Sequence, residues 1–146
     1  MIALARKHKR IFSILIAAIF VLLIGVAYEA SQPPKISLNG NVFRAEIVDT
    51  EALREKGLSG RDSIGPKDSM VFVFDKQGNH CFWMKDMKFS IDIVWVDTSN
   101  KVTAMETFVS PTTYPKNFCH NGIRVIELPA GAADQTSIDV GNPVDL

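Results

Sequence analysis

The chain lacks most of the short motifs that mark small enzymes and metal proteins. Its 146 residues include only two cysteines and three histidines, and no C-x₂₋₄-C element of a structural zinc site occurs. A Gly-x-Ser-x-Gly elbow and a Gly-rich phosphate loop are also missing. The sequence therefore gives little support to serine-histidine-aspartate catalysis or to nucleotide binding, and no cofactor is expected. With no recognisable catalytic motif, the sequence leaves open whether the protein is an enzyme.

A basic stripe is missing as well. Four of the 16 basic residues stand within the first ten positions, at Arg6, Lys7, Lys9 and Arg10. From residue 31 onward, 12 basic residues stand against 15 acidic ones. A mildly acidic domain is poorly suited to phosphate backbones, so nucleic acid is not an expected partner.

One long hydrophobic run is present, at residues 11–28. It contains no charged residue, and a bilayer core needs about 20 apolar helical residues. These features predict a single N-terminal transmembrane helix, or signal anchor. Two alternatives remain at this stage. Gly25-Val26-Ala27 would suit a cleaved signal peptide, whereas a buried core helix would need a polar face, which the run does not show.

The charges around the hydrophobic run predict its orientation. The cationic residues precede it, and positive flanks stay in the cytoplasm. We therefore expect a cytoplasmic basic segment at residues 1–10, a membrane segment at 11–28, a linker at 29–35 and an extracytoplasmic domain at 36–146. This is a single-pass membrane topology, or a secreted domain if the N-terminal segment is cleaved.

Residues 36–146 show the pattern of a mainly β domain. Short apolar runs alternate with turn residues, as at Asn39-Gly40, which predicts a tight hairpin. Residues 50–56 predict a short helix, and residues 75–79 (Asp-Lys-Gln-Gly-Asn) predict a turn between two strands. Many short strands with one or two short helices favour a small barrel-like or sandwich-like domain.

Several motifs of this domain resemble those of the bacterial and archaeal domain-of-unknown-function 192 family (DUF192). The motifs are Lys56-Gly57-Leu58, Arg61, Met70 to Phe74, Phe82-Trp83-Met84-Lys85, Ile91-Asp92-Ile93, Val125 to Gly131 and Ile138 to Gly141. The resemblance implies a small β-barrel-like fold, often exported or tethered, and no established activity. The chain departs from the family pattern at Asp86, where Asn is usual, and at Gly141-Asn142, where Gly-Asp is usual.

The strip Phe82 to Asp86 is the first candidate for a ligand-binding site. If it forms a strand, Trp83 and Lys85 share one face, while Phe82, Met84 and Asp86 share the other. Trp83 beside Lys85 would form an apolar platform with a cation, suited to an anionic or sugar ligand. Alternatively, Trp83 belongs to the core and the Lys85 stem covers it.

Arg61 and Asp92 complete the set of candidate ligand-binding residues. Asp92 lies in an apolar run, and a buried carboxylate needs a partner. We expect Asp92 to pair with Arg61 or Lys85 as a structural ion pair, or to share a functional pocket with them.

The cysteines allow three interpretations. An extracytoplasmic location permits a Cys81–Cys119 disulfide, and free or buried thiols are the second possibility. In the third, His80, Cys81, Cys119 and His120 bind zinc, although neighbouring strand residues point to opposite faces. A Cu(I) site among the methionines is a weaker hypothesis than core packing.

Together these observations predict a membrane-tethered extracytoplasmic β domain that binds a ligand or a protein. The alternative is a metal-handling or hydrolytic enzyme that uses the Trp83-Lys85-Asp86 strip or the Cys81/Cys119 region.

Overall fold

The computed structural model describes the backbone of residues 2–30 and 32–145, and the side chains of residues 15–29 and 32–145. The chain forms two compact units, Met1–Gln32 and Pro33–Leu146. The side chains of the predicted basic segment, residues 1–10, lie outside the described part. The predicted linker includes residue 31, which also lies outside it.

The first unit is the helix α1 (Ile2–Ala30), which contains the whole predicted hydrophobic run. Its described side chains, from Leu15 to Glu29, are exposed. Among the described residues, no helix combines the length and the hydropathy that crossing a bilayer requires. The transmembrane helix at residues 11–28 therefore stays a prediction.

The second unit is built on one seven-stranded sheet with strand order β5-β4-β6-β3-β2-β1-β7. Neighbouring strands are antiparallel, except for the parallel pair β2–β3. The strands are β1 (Lys35–Leu38), β2 (Asn41–Val48), β3 (Asp68–Phe82), β4 (Ile91–Val96), β5 (Val102–Val109), β6 (Phe118–Pro129) and β7 (Val144–Asp145). The helices are α2 (Glu51–Lys56) and α3 (Ala132–Thr136), with a 3₁₀ turn at Pro111–Thr113.

The sheet curls into a half-barrel. Its two edge strands approach each other at one end, where Val102 exchanges backbone hydrogen bonds with Gly141 and Asn142, and Val144 donates one to Asn100. The mainly β prediction is confirmed, with a barrel-like rather than a sandwich-like arrangement because all seven strands belong to one sheet.

Strand β3 differs from the prediction. The polar residues 75–79 do not turn the chain back, and β3 continues for 15 residues. An irregularity between Val73 and Gly78 separates two stretches that both pair with β6. The turn prediction was wrong because residues 74–77 form an irregularity within β3, after which Gly78 and Asn79 pair with β6 again in the same antiparallel sense.

The sheet has an apolar cluster on each face. One cluster packs around α3 and includes Leu38, Phe43, Ile126 and Leu128. The other includes Phe72, Met84 and Trp95. Residues of β4 alternate between the two clusters and are all buried. Strand β4 is therefore buried on both faces, which explains its almost continuous apolar sequence.

Asp92 is the one charged residue of β4, and it does not pair with Arg61 or Lys85 as predicted. Its side chain is fully buried, and its two oxygens accept hydrogen bonds from the backbone N–H groups of Phe108 (2.8 Å) and Ala133 (2.9 Å). Ala133 lies in the first turn of α3, whose N-cap, Gly131, supplies no side-chain cap. The two oxygens of Asp92 are therefore paired with backbone N–H groups that have no other partner in a described helix or strand ladder. The spacing of residues in the sequence did not predict these partners.

We predict that Asp92→Asn lowers the free energy of unfolding by about 2–4 kcal/mol. The amide NH₂ would face one of the two N–H donors, which leaves a buried donor without an acceptor. Urea denaturation of the full chain in detergent measures this change. Asp97→Asn is the matched control, since both backbone bonds of Asp97 end on one oxygen that Asn retains. Equal stability of the two variants would contradict the assignment.

Candidate functional site

The strip that follows β3 is a turn rather than a strand. Strand β3 ends at Phe82, so the predicted alternation of faces from Trp83 to Asp86 is wrong. Two hydrogen bonds tie this turn to the loop after α2. The Ser59 hydroxyl donates to the Lys85 carbonyl (2.9 Å), and the Gly60 N–H donates to the Asp86 carbonyl (2.9 Å).

Backbone conformation accounts for the residue at position 86. Asp86 has φ of 56°, in the left-handed region that Asn and Asp adopt more easily than most other residues. The Asn that is usual in the resembled family suits the same turn. The departure at Asp86 therefore preserves the local backbone and adds a negative charge to an exposed position.

The side chains of this turn lie in different environments. Trp83 is 43% exposed and Lys85 is exposed, whereas Met84 is buried in the cluster with Phe72. Trp83 is therefore not a core residue, and its indole is available to a ligand.

The cysteines lie directly opposite each other on β3 and β6, and the structure joins them by a disulfide. Because both sulfurs belong to this bond, neither is a thiolate ligand. The histidines take other partners: His80 stacks on Phe74 at 3.5 Å between ring centroids, and His120 contacts Glu106 at 2.8 Å. No metal-binding group of three or more His, Cys, Asp or Glu side chains occurs among the described residues.

A cavity of about 340 Å³ lies next to Trp83. We call it the Glu127 pocket. Its walls come from α2 and the residues after it, from β3 and the turn that follows it, and from β6, which contributes Glu127. It is lined by Glu51, Arg54, Glu55, Lys56, Gly57, Leu58, Ser59, Phe72, Phe74, Asn79, His80, Cys81, Phe82, Trp83, Met87 and Glu127. Aromatic walls with a few polar groups are typical of small-molecule sites.

Glu127 is the unusual group of this pocket. It is only 5% exposed, and its Oε2 atom is buried without a hydrogen-bond partner among the described residues. Burial raises the pKa of Glu127 to about 8, although the nearby positive charge of Arg61 acts in the opposite direction. The side chain is therefore mainly a neutral carboxylic acid at pH 7. A buried polar atom that lines a cavity and lacks a partner is a candidate ligand contact.

The sheet register explains why Arg61 influences Glu127. Glu46, Met70, Glu127, Ile93 and Glu106 are paired side by side across five strands and share one face, and we call them the carboxylate row. Strands lie ~4.8 Å apart, so Glu46 and Glu127 are separated by about 10 Å.

Arg61 belongs to the Glu46 end of this row. It forms a two-pronged ion pair with Glu46, at 2.7 and 2.8 Å, and that bond lowers the pKa of Glu46. Arg61 and Glu46 line a second cavity, which does not include Trp83, Lys85 or Asp86. The predicted ligand-binding residues are therefore not gathered in one place: Trp83 lines the Glu127 pocket, Arg61 lines the second cavity, and Asp92 holds α3.

Sequence reasoning missed Glu127. Its signal was the same as that of Asp92, namely a carboxylate inside an apolar strand, here between Ile126 and Leu128. The sequence could not say which of the two carboxylates finds backbone donors, because Phe108 and Ala133 are distant from Asp92 along the chain.

The fold and the pocket define the class of protein as a small half-barrel β domain with a buried carboxyl group in an aromatic-lined cavity. The profile of the DUF192 family, described as uncharacterised ACR, matches residues 35–146. The chain belongs to this family, as the resemblance indicated.

Two solved structures share the fold. A protein of unknown function from Novosphingobium aromaticivorans DSM 12444 is 24% identical, with a TM-score of 0.72, and the match covers 77% of this chain and 84% of that one. A chain from Sinorhizobium meliloti 1021, described as a candidate transcription regulator, is 20% identical, with a TM-score of 0.71, over 78% and 95%. None of the curated proteins matches this chain. These likenesses support the fold alone.

We predict that the domain loses stability as pH rises because of Glu127. The unfolded carboxyl group releases its proton near its ordinary pKa of 4.5, whereas the folded one keeps it up to about 8. The free energy of unfolding should therefore fall by about 1.4 kcal/mol per pH unit between these values.

Urea denaturation of the full chain in detergent at pH 5, 6, 7 and 8 measures this dependence. In Glu127→Gln the dependence should largely disappear, while the exposed control Glu55→Gln should keep it. A slope that survives in Glu127→Gln would show that other groups cause it.

Proposed function

We propose that this protein is a membrane-tethered extracytoplasmic binding module whose ligand is a small molecule held in the Glu127 pocket. The observation that carries the proposal is the buried Oε2 atom of Glu127. It has no partner within the described part of the chain, and its residue lines the cavity. Leaving such an atom unpaired costs roughly 1–3 kcal/mol, and a ligand that bonds to it would recover this energy.

The surroundings of Glu127 support a ligand with an apolar body. Phe72, Phe82 and Met87 line the pocket, and Trp83 stands at its exposed side. Such side chains contribute contact area and few competing hydrogen bonds, so affinity would come from their burial and orientation from Glu127.

Packing contacts and a hydrogen bond hold the wall of the pocket at the end of β3 in place. Phe82 packs edge-on against Phe72 and Trp95, with ring centroids 4.8 and 5.9 Å away. The indole N–H of Trp95 donates to the His80 carbonyl at 2.9 Å. These contacts fix the end of β3, so the cavity would need little rearrangement to receive a ligand.

The tether rests on the sequence of residues 11–28 and on the basic residues before it. An uncharged run of this length, preceded by cations, favours insertion with the N-terminus in the cytoplasm. The Pro33-Pro34 pair would then separate the membrane from the half-barrel.

We expect the full chain to remain in the membrane fraction after a carbonate wash. A Val21→Arg/Leu22→Arg double variant should be lost from that fraction, because each arginine costs about 2.5–3.5 kcal/mol at the centre of a membrane helix. Tyr28→Arg, at the end of the run, is the control and should stay. Mass spectrometry of the recovered chain checks whether the N-terminal segment is intact. Recovery of intact wild-type chain in the soluble fraction would contradict the tether.

We expect small aromatic compounds to bind in the Glu127 pocket. Ligand-observed NMR of the full chain in detergent, with a mixture of aromatic amines, amides, alcohols and acids, measures this. Trp83→Ala should weaken binding by about three- to tenfold through loss of stacking area. Tyr114→Ala removes an aromatic residue of similar exposure, 50%, that does not line the pocket, and should leave binding unchanged. Absence of binding, or equal effects of the two variants, would refute the proposal.

A further inference from the structure

We propose that the ligand of the Glu127 pocket is a compact organic cation, a primary ammonium group on an aromatic or aliphatic body. This inference rests on the proposed function and adds the chemical class of the ligand. Three observations carry it: the unpaired Oε2 atom, the charges that line the pocket and the aromatic side chains beside them.

The unpaired Oε2 atom calls for a hydrogen-bond donor. An ammonium N–H donates to a carboxylate more strongly than a neutral donor does, because both partners are charged. Binding would exchange the proton of Glu127 for the ammonium group. The carboxylic acid releases its proton to solvent, the carboxylate pairs with the cation, and the buried site stays neutral overall.

The charged groups of the pocket favour a cation over an anion. Two carboxylates line it, those of Glu51 and Glu55, and balance two cations, Arg54 and Lys56. Once Glu127 gives up its proton, the lining carries one net negative charge, which a bound cation neutralises. The Arg54 guanidinium is already engaged, since it donates to the carbonyls of Asp49 (2.7 Å) and Val73 (2.9 Å) and lies over the ring of Phe74.

The aromatic walls add to this preference. The faces of Trp83 and Phe82 carry negative electrostatic potential, which attracts an ammonium group and repels an anion. The Phe74 ring, by contrast, is occupied by Arg54 and His80. Trp83, being 43% exposed, offers surface to an incoming molecule.

The pH dependence of binding depends on every charged group near Glu127. Arg61 is held by Glu46, two positions along the carboxylate row from Glu127, and its charge disfavours a cation. On the other side, strand β4 contributes the apolar Ile93. The titratable and charged groups that line the pocket from α2 and β3 are Glu51, Arg54, Glu55, Lys56 and His80. Arg61, in the loop after α2, acts on Glu127 through its charge.

The test compares benzylamine, benzamide and benzoate with the full chain in detergent micelles at pH 6, 7 and 8. Binding is followed by the NMR signal of the Trp83 indole N–H, which Trp83→Phe identifies. Affinity for benzylamine should rise about tenfold from pH 6 to 7, because one proton is released per molecule bound, and should level off near pH 8. Benzoate should bind at least tenfold more weakly than benzylamine at pH 8.

Two variants test whether Glu127 causes the pH dependence of benzylamine binding. Glu127→Gln should abolish the pH dependence and weaken benzylamine binding at least tenfold at pH 8. Glu106→Gln makes the same change in the carboxylate row outside the pocket and should behave as wild type. If Glu127→Gln does not fold, the slope of wild-type affinity against pH still measures the number of protons released on binding.

Failure of the cation inference can be distinguished from failure of the proposed function. Benzamide binding that matches or exceeds benzylamine at all pH values, with dependence on Glu127, would overturn the cation and leave the pocket as a ligand site. Benzylamine binding without a pH slope would also overturn the proton exchange. Absence of binding by all three compounds would overturn the proposed function itself.

Discussion

The pairing of β3 with β6 is the constraint on which the rest of this domain depends. It runs from Met70–Glu127 at one end to Phe82–Phe118 at the other, with one irregularity between Val73 and Gly78. The same ladder sets Glu127 in the centre of the sheet, brings the two cysteines together and carries the chain to Trp83. The Glu127 pocket exists because one end of the ladder supplies its carboxyl group and the other supplies its aromatic wall.

Two buried carboxylates occupy adjacent strands and face opposite sides of the sheet. Asp92 accepts hydrogen bonds from two backbone amides and thereby holds Phe108 of β5 and the first turn of α3 in place. Glu127 has an oxygen that finds no partner in the described part of the chain, and burial raises its pKa to about 8. The carboxyl group has a structural role at Asp92 and is available to a ligand at Glu127, because backbone donors reach only Asp92.

Comparing individual elements shows which features the sequence patterns predicted correctly. The hairpin at Asn39-Gly40 and the short helix after Thr50 depend on local turn and cap chemistry, and both were predicted. The turn at residues 75–79 was predicted from the same kind of signal and was wrong, since β3 resumes its pairing with β6 at Gly78 and Asn79. The Trp83–Lys85 strip was identified as a candidate site, but its predicted faces were wrong because β3 ends at Phe82.

The sequence by itself determined the mainly β class, because periodicity and turn residues act over a few neighbouring positions. Its motifs, such as Phe82-Trp83-Met84-Lys85, indicated the family and the candidate residues Trp83 and Asp92. Only the tertiary structure decided that Asp92 binds amides, that Arg61 pairs with Glu46 and that Glu127 lines the pocket. These outcomes depend on which distant donors and charges the sheet register places beside each carboxylate. Such long-range pairings carry no signature in the local order of residues.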